Sequence, residues 1–157
     1  MTARRLGPAD AALWAHPWTA AQADAPTAFA PRRERSPTAA AARRASARAF
    51  VWEEAGSPLA WGLWCRDPDR AHPRRGWIEG VFVAPEARGC GLAARLIDAM
   101  AADAAAAGME ELWLEVGEAN HAARAAYARA GFAPASGAAA PPGRGTGEVA
   151  LRRSLAA

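Results

Sequence analysis

The sequence contains no lysine and only two cysteines, so all 19 of its basic side chains are arginines. Cys65 and Cys90 are far apart, no Cys-x-x-Cys pair occurs, and the three histidines are scattered along the chain. A disulfide framework needs several cysteines and a metal site needs clustered ligands, so neither is expected. We therefore expect no metal cofactor.

Long apolar runs are also missing. None could span a bilayer, and residues 1–8 break off before the apolar core of a signal peptide could form. With 52% hydrophobic and 22% charged residues, the composition is typical of a globular chain rather than a disordered one. We expect one cytoplasmic domain over residues 1–157, with no membrane partner.

The arginines are densest between residues 32 and 48, where they raise the question of nucleic-acid binding. No aromatic interleaving and no known docking motif accompany them, which favours a solvated helix face instead. We expect no nucleic-acid partner. The formal net charge of +3 is modest and suits a ligand that carries phosphates.

The hydrophobic pattern predicts a mixed chain. A hairpin comes first and strands then alternate with helices, which favours an α+β sheet over a doubly wound parallel one. Gly108 and Gly131 are placed to end two helices, and Ser36-Pro37 to begin another. The predicted strands cover 3–6, 50–53, 59–65, 77–83, 112–116 and 148–153, with another from Phe132; the predicted helices cover 38–47, 92–107 and 120–130, with a helical stretch from Asp10 and a loop over 135–147.

A glycine-containing turn connects the strand 77–83 to the helix 92–107. Gly89 and Gly91 permit positive φ and let the backbone approach a ligand closely, immediately before the helix. The N–H groups of the first helical turn point outward, where the helix dipole favours an anion. The turn therefore predicts a phosphate or pyrophosphate cradle, with Arg88 adding charge or bracing the loop.

Two other phosphate-binding patterns can be compared with this turn. No Gly-Lys-Ser/Thr follows the glycines, which excludes a P-loop, and Ala94 stands where a dinucleotide-binding fingerprint has its third glycine. An ordinary structural turn is the remaining alternative, because a pair of glycines alone does not specify a ligand.

A second helical pattern places Asn120, Ala123 and Tyr127 on one face of the helix 120–130. Asn120 is a good N-cap, and capping is compatible with contact to a ligand. Tyr127, the only tyrosine of the chain, is either a core aromatic or a functional phenol.

Both patterns resemble motifs of the GNAT superfamily of N-acetyltransferases. Arg88-Gly89-Cys90-Gly91-Leu92-Ala93 is similar to the family's R/Q-x-x-G-x-G/A turn, and residues 120–132 are similar to its N-x-x-A-x-x-x-Y-x-x-x-G-F helix. With the strand that leads into the turn, the two motifs cover residues 77–132. The resemblance implies a GNAT-like mixed, mostly antiparallel sheet flanked by helices, with splayed central strands.

The resemblance also implies acetyl-CoA as the acetyl donor. In the family, the amides of the turn hold the pyrophosphate of coenzyme A, and the preceding strand binds its pantetheine arm much as it would an added strand. Cys90 occupies a variable position of the turn, so no acyl-cysteine is expected. The residues implied in coenzyme binding are Val81, Phe82, Val83, Arg88, Gly89, Cys90, Gly91, Leu92, Ala93 and Asn120.

Two residues are implied in catalysis. Tyr127 matches the residue that often protonates the departing thiolate in the family, and a phenol with a reference pKa of about 10 suits that role. Glu79 is the first candidate for the base that deprotonates the amine, and a solvent-facing strand carboxylate is the alternative. Glu115, Glu118 and His121 are further candidates for the base.

We therefore expect an acetyl-CoA-dependent N-acetyltransferase that transfers the acetyl group directly to an amine, as a monomer or homodimer. A non-catalytic acyl-CoA-binding or regulatory module on the same fold is the alternative. The acceptor stays open among small-molecule and peptide amines, including polyamines, amino acids and antibiotics. Trp14 and Trp18 either pack in the core or line the acceptor pocket.

Overall fold

The computed structural model describes residues 3–7, 10, 23, 45–67, 72–135 and 147–155. Seven strands and two complete α-helices lie within these residues, and a 3₁₀ turn, Pro85–Ala87, follows the fourth strand. In chain order the elements are β1 (Arg4–Arg5), β2 (Arg48–Glu54), β3 (Ser57–Arg66), β4 (Arg75–Val83), α1 (Leu92–Ala106), β5 (Glu111–Gly117), α2 (His121–Arg129), β6 (Ala133–Pro134) and β7 (Glu148–Ser154).

The strands form one sheet in the order β1-β2-β3-β4-β5-β7-β6. Every neighbouring pair is antiparallel except β4 and β5, which run parallel. The predicted α+β class, with a mixed and mostly antiparallel sheet, is confirmed. The predicted helix over 38–47 and the helical stretch from Asp10 lie largely outside the described residues, as does most of the predicted loop over 135–147.

The central pair of strands separates after a short ladder. β4 and β5 pair only at Arg75↔Glu111, Gly76↔Leu112 and Trp77↔Trp113. β4 then continues to Val83 and β5 to Gly117 without pairing to each other. The predicted splay of the central strands is therefore confirmed, and it opens a gap in the middle of the sheet.

A β-bulge in β4 lies at the start of this gap. Leu63 of β3 pairs with Glu79 and Trp61 pairs with Phe82, so two residues of β4 lie opposite the single residue Gly62. One of the two is Gly80, whose φ of 63° is in the left-handed region that favours glycine. Because a bulge bends and twists its strand, it turns the end of β4 away from β5.

Both helices pack on one face of the sheet. Leu96, Ile97 and Met100 of α1 are fully buried against Ile78 and Leu112, and the predicted apolar stripe of this helix is confirmed. The helix is also fixed by polar contacts, because Asp103 accepts a 2.9 Å hydrogen bond from Nε1 of Trp64. The helix face therefore holds the main core.

The opposite face of the sheet carries a smaller cluster of buried side chains. Cys65, Trp77 and Trp113 pack together there, and the rings of the two tryptophans have centroids 6.0 Å apart. Side chains alternate between faces along a strand, so Glu79 and Glu115, two residues beyond these tryptophans, lie on this face as well. We call it the carboxylate face.

Candidate functional site

The turn between β4 and α1 has the backbone conformation that the sequence predicts. Gly89 has a φ of 80°, and Gly91, the N-cap of α1, has a φ of 75°. A Cβ at either position would meet nothing within 4 Å, so backbone conformation, not crowding, requires glycine here. The open space above both glycines would allow a ligand to approach the main chain.

The first turn of α1 is suited to an anion. Gly91 makes no side-chain cap, and the first turn carries no acidic residue. Its N–H groups are therefore available to a negatively charged ligand, which the helix dipole also favours. The positive φ values, the open space and the uncapped helix end together fit a pyrophosphate.

Arg88 braces the turn. Its Nε donates a 3.2 Å hydrogen bond to the Val83 carbonyl, and its guanidinium carbon lies 5.8 Å from the Phe82 ring centroid. One of the two predicted roles of this residue, bracing, is thus seen directly. Cys90 is exposed beside it, with Sγ 3.8 Å from the Arg88 carbonyl oxygen.

The strand before the turn presents its residues to both faces. Val81 and Val83 are half-buried against the main core, whereas Phe82 packs on Trp61 with ring centroids 4.6 Å apart. These three residues border the gap between β4 and β5, so the predicted backbone contacts to a ligand would come from this edge.

Helix α2 lies on the same face as α1. Asn120 is its N-cap, because Oδ1 accepts a 3.1 Å hydrogen bond from the Ala123 N–H. Tyr127 is half-buried and meets Phe132 edge to face, with ring centroids 6.1 Å apart. Capping by Asn120 is therefore confirmed, and the Tyr127 ring contributes to the core at its edge.

The two carboxylates of the carboxylate face border the gap from opposite strands. Glu79 is half-buried on β4, directly before the bulge, and its Oε1 is buried. Glu115 on β5 is 9% exposed. Two other sequence candidates for a base, Glu118 and His121, are exposed at the loop that leads into α2.

The profile of the Acetyltransferase (GNAT) family matches residues 11–132 of the chain. The chain belongs to the GNAT acetyltransferase family. No curated protein sequence matches it.

Solved structures show the same GNAT fold. The GNAT domain of S. lividans PAT has a TM-score of 0.73 and 18% identity, over 97% of this chain and 89% of that chain. The ribosomal-protein-S18-alanine N-acetyltransferase of Escherichia coli has a TM-score of 0.68 and 20% identity, over 99% and 94%. Nourseothricin acetyltransferase has a TM-score of 0.57 and 27% identity, over 71% of this chain and 66% of that chain.

In this GNAT chain Glu115 lies across the β4–β5 gap from Glu79, which was not predicted from the sequence. From the sequence, Glu115 is only a further candidate for the base beside Glu79, yet the two carboxylates occupy equivalent positions on the two splayed strands. A signal for this was present, because Trp77-Ile78-Glu79 and Trp113-Leu114-Glu115 have the same pattern. The repeat acquires meaning only when Trp77 and Trp113 are known to be paired.

Other residues that the sequence singles out in this GNAT chain lie outside the described residues or away from the gap. Trp14 and Trp18 lie outside the described residues, and so do the arginines between residues 32 and 44. Arg48 is described and donates a 3.0 Å hydrogen bond to Asp103, so it belongs to a contact between β2 and α1. Among the described residues no group of His, Cys, Asp or Glu could hold a metal ion, and no helix is long and apolar enough to cross a membrane.

Proposed function

We propose that the chain is an acetyl-CoA-dependent N-acetyltransferase that moves the acetyl group directly onto an amine. The observation that carries this proposal is the gap between β4 and β5, which Glu79 borders on β4, the same strand that leads into the glycine turn of α1. A gap of this kind lets a donor and an acceptor approach one another from opposite faces of the sheet.

The coenzyme would be held mainly by main-chain groups. The amides from Gly89 to Ala93 would bind the pyrophosphate, with Arg88 keeping the turn in position. The free edge of β4 at residues 81–83 would bind the pantetheine arm, and Asn120 would contact the coenzyme from the start of α2. Acetyl-CoA supplies the acetyl group, whose bond to sulfur breaks as its bond to the amine nitrogen forms.

Two side chains would move the protons. An alkylammonium has a pKa of about 10.4 and must lose a proton before its nitrogen can attack, and Glu79 would accept that proton directly or through water. Tyr127 would give a proton to the departing sulfur and later regain one from solvent, while the attacking nitrogen loses its second proton to solvent as the amide forms. No covalent bond to the protein is needed at any step.

The amine acceptor would be a small molecule or a peptide. Among the similar structures, one is a ribosomal-protein-S18-alanine N-acetyltransferase and another is a nourseothricin acetyltransferase. The same fold therefore serves acceptors of very different size. The acceptor of this chain must be inferred from the residues of its own site, not from its fold.

Release of free thiol from acetyl-CoA in the presence of an amine panel tests the proposal, together with calorimetric binding of acetyl-CoA. We expect binding and thiol release with at least one amine. Binding without release from any amine would instead support a non-catalytic acyl-CoA-binding module. Absence of both binding and release would contradict the proposal and this alternative.

A further inference from the structure

Helix α2, which carries the proposed acid Tyr127, is fixed mainly at its ends. None of its nine residues, His121–Arg129, is buried. A helix of this length is not stable alone and depends on contacts with the rest of the protein. The Asn120 cap fixes its beginning. The position of Tyr127, in the last turn but one residue from a buried segment, therefore depends on what fixes the end of the helix.

The end of α2 is a Schellman motif that includes Tyr127 itself. The Phe132 N–H donates a 3.0 Å hydrogen bond to the Tyr127 carbonyl, and the Gly131 N–H donates a 3.0 Å hydrogen bond to the Ala128 carbonyl. Gly131 has the positive φ, 82°, that this motif requires. The edge-to-face contact of the Tyr127 and Phe132 rings is the apolar contact that accompanies the motif. Whatever fixes this motif therefore also fixes Tyr127.

Arg153 of β7 contacts the motif directly. Its Nη1 donates a 2.9 Å hydrogen bond to the carbonyl of Ala130, the C-cap of α2, where the helix dipole also favours a cation. A Cβ at Gly131 would lie 3.7 Å from Cδ and Nε of Arg153, so the arginine side chain passes over this glycine. The same Nη1 donates a 2.6 Å hydrogen bond to Oδ1 of Asp98 in α1. Arg153 therefore joins three elements, β7, α1 and α2.

The elements joined by Arg153 are those that would place the two partners of the proton transfer. Asp98 lies about two helical turns beyond Gly91, in the helix that begins at the coenzyme turn. The sulfur of the coenzyme would be placed by this turn and β4, whereas the phenol is placed by α2. Proton transfer needs heavy atoms about 2.6–3.2 Å apart, and a displacement of about 1 Å can cost 10²-fold in rate.

We propose that Arg153 is a positioning residue for proton transfer from Tyr127. It fixes the end of α2 against α1 and so sets the distance between the phenol and the departing sulfur. The proton passes from the Tyr127 hydroxyl to sulfur as the carbon–sulfur bond breaks, while the Arg153 guanidinium keeps its own protons. This inference rests on the proposed function and adds to it a residue outside the reacting groups.

A double-mutant cycle with Tyr127→Phe tests the inference. Arg153→Met removes both hydrogen bonds and should lower kcat by about 10- to 100-fold, with acetyl-CoA affinity by calorimetry within about twofold of wild type. In the Tyr127→Phe background the same substitution should lower kcat by less than about twofold, because no phenol is left to position. An equal loss in both backgrounds would show a general structural role and overturn the inference.

Two further variants show which property of Arg153 matters. Arg153→Lys keeps the charge and can donate to the same two oxygens, so kcat should return to within about threefold of wild type. A lysine variant as slow as the methionine variant would contradict a role for these hydrogen bonds. Arg152→Met is the matched control, because Arg152 is exposed and faces the other side of the sheet. Its kcat should equal that of wild type, and a loss as large as that of Arg153→Met would also contradict the inference.

Asp98→Asn replaces Arg153→Met in the cycle if the latter does not fold, because the Asp98 side chain is 61% exposed. It should lower kcat by about threefold with Tyr127 present and leave kcat unchanged in the Tyr127→Phe background. No loss with Tyr127 present would overturn the inference.

The design separates failure of the inference from failure of the proposed function. Absence of thiol release by the wild-type protein with every amine contradicts both. Thiol release with equal losses in the two backgrounds contradicts only the role of Arg153.

Discussion

The guanidinium carbon of Arg75 lies 4.0 Å from the ring centroid of Trp113, while its Nε donates to Glu111 Oε1 at 2.9 Å. These contacts join β4 to β5 at the parallel ladder, and Arg75 is only 5% exposed. Partial burial alone would raise the pKa of Glu111, but the nearby Trp113 indole and the Arg75 guanidinium together outweigh it, so the pKa lies below its ordinary value of 4.5. The ionised form of Glu111 therefore stabilises the fold.

The first prediction concerns stability and pH. Glu111→Gln should lower the free energy of unfolding by about 1–3 kcal/mol at neutral pH, because it leaves the Arg75 charge buried without its carboxylate. A depressed pKa contributes stability above the unfolded-state value, and this is lost as the pH falls through the folded-state value. The difference from wild type should therefore shrink below a pH of about 4.5.

Urea unfolding at neutral and acidic pH measures this effect. The control is Glu110→Gln, whose ion pair with Arg74 is exposed to solvent and should contribute little. If Glu111→Gln lowers the free energy of unfolding by the same amount at neutral and acidic pH, the charge of the carboxylate is not what stabilises the ladder.

A second prediction concerns the packing of the same ladder. A Cβ at Gly76 would lie 2.7 Å from Cδ2 of Leu112, which is fully buried, and 3.2 Å from the Trp64 ring. Gly76→Ala should therefore destabilise the protein by about 1–3 kcal/mol, the usual cost of overpacking. The matched control is Gly117→Ala at the end of β5, where the nearest atom to a new Cβ is 4.0 Å away. Equal thermal stability of the two variants would rule out this account of Gly76.

A third prediction concerns the glycine turn. Gly91→Ala forces a side chain into a φ of 75°, which costs about 1–2 kcal/mol and turns the N–H groups of the cradle away from their anion-binding directions. Acetyl-CoA affinity measured by calorimetry should fall about tenfold or more. Gly56→Ala carries the same strain in the β2–β3 hairpin, with a φ of 81°, and should leave the affinity unchanged. A similar affinity in both variants would contradict a role for the turn in binding.

A fourth prediction concerns the proposed acid. Tyr127→Phe retains the ring contact with Phe132 and removes only the hydroxyl. Turnover should fall by about 10²- to 10⁴-fold, the usual contribution of a general acid, with acetyl-CoA affinity within about twofold of wild type. Steady-state kinetics and calorimetry on the same preparation separate the two quantities. An unchanged kcat would remove Tyr127 from the mechanism.

Features that depend on residues close together in the sequence were predicted correctly, whereas features that depend on strand pairing were not. The positive φ values at Gly89 and Gly91 and the Asn120 cap depend on a few neighbouring residues, and they were predicted correctly. The α1 stripe was predicted because helical periodicity is also local. The bulge at Gly80 was not predicted, since it depends on how β4 pairs with β3.

The position of Glu115 opposite Glu79 is the strongest example of a non-local relationship. It depends on the register of two parallel strands that are separated in sequence by α1 and its flanking loops. Composition and periodicity give each strand but not its register. The assignment of Glu79 and Tyr127 to catalysis stays a prediction, as does the extent of the domain over residues 1–157.

Helix α1 contacts β2, β3, β4 and β5, and it therefore crosses the line where the sheet divides. Only three residue pairs connect β4 to β5, so the packing of α1 across both strands also holds the two halves of the sheet together. The same helix begins at the glycine turn. A ligand that binds the turn more tightly when β4 and β5 are paired than when their contact is broken stabilises the paired state by that difference in binding free energy. A change that weakens the β4–β5 contact should therefore also weaken coenzyme binding.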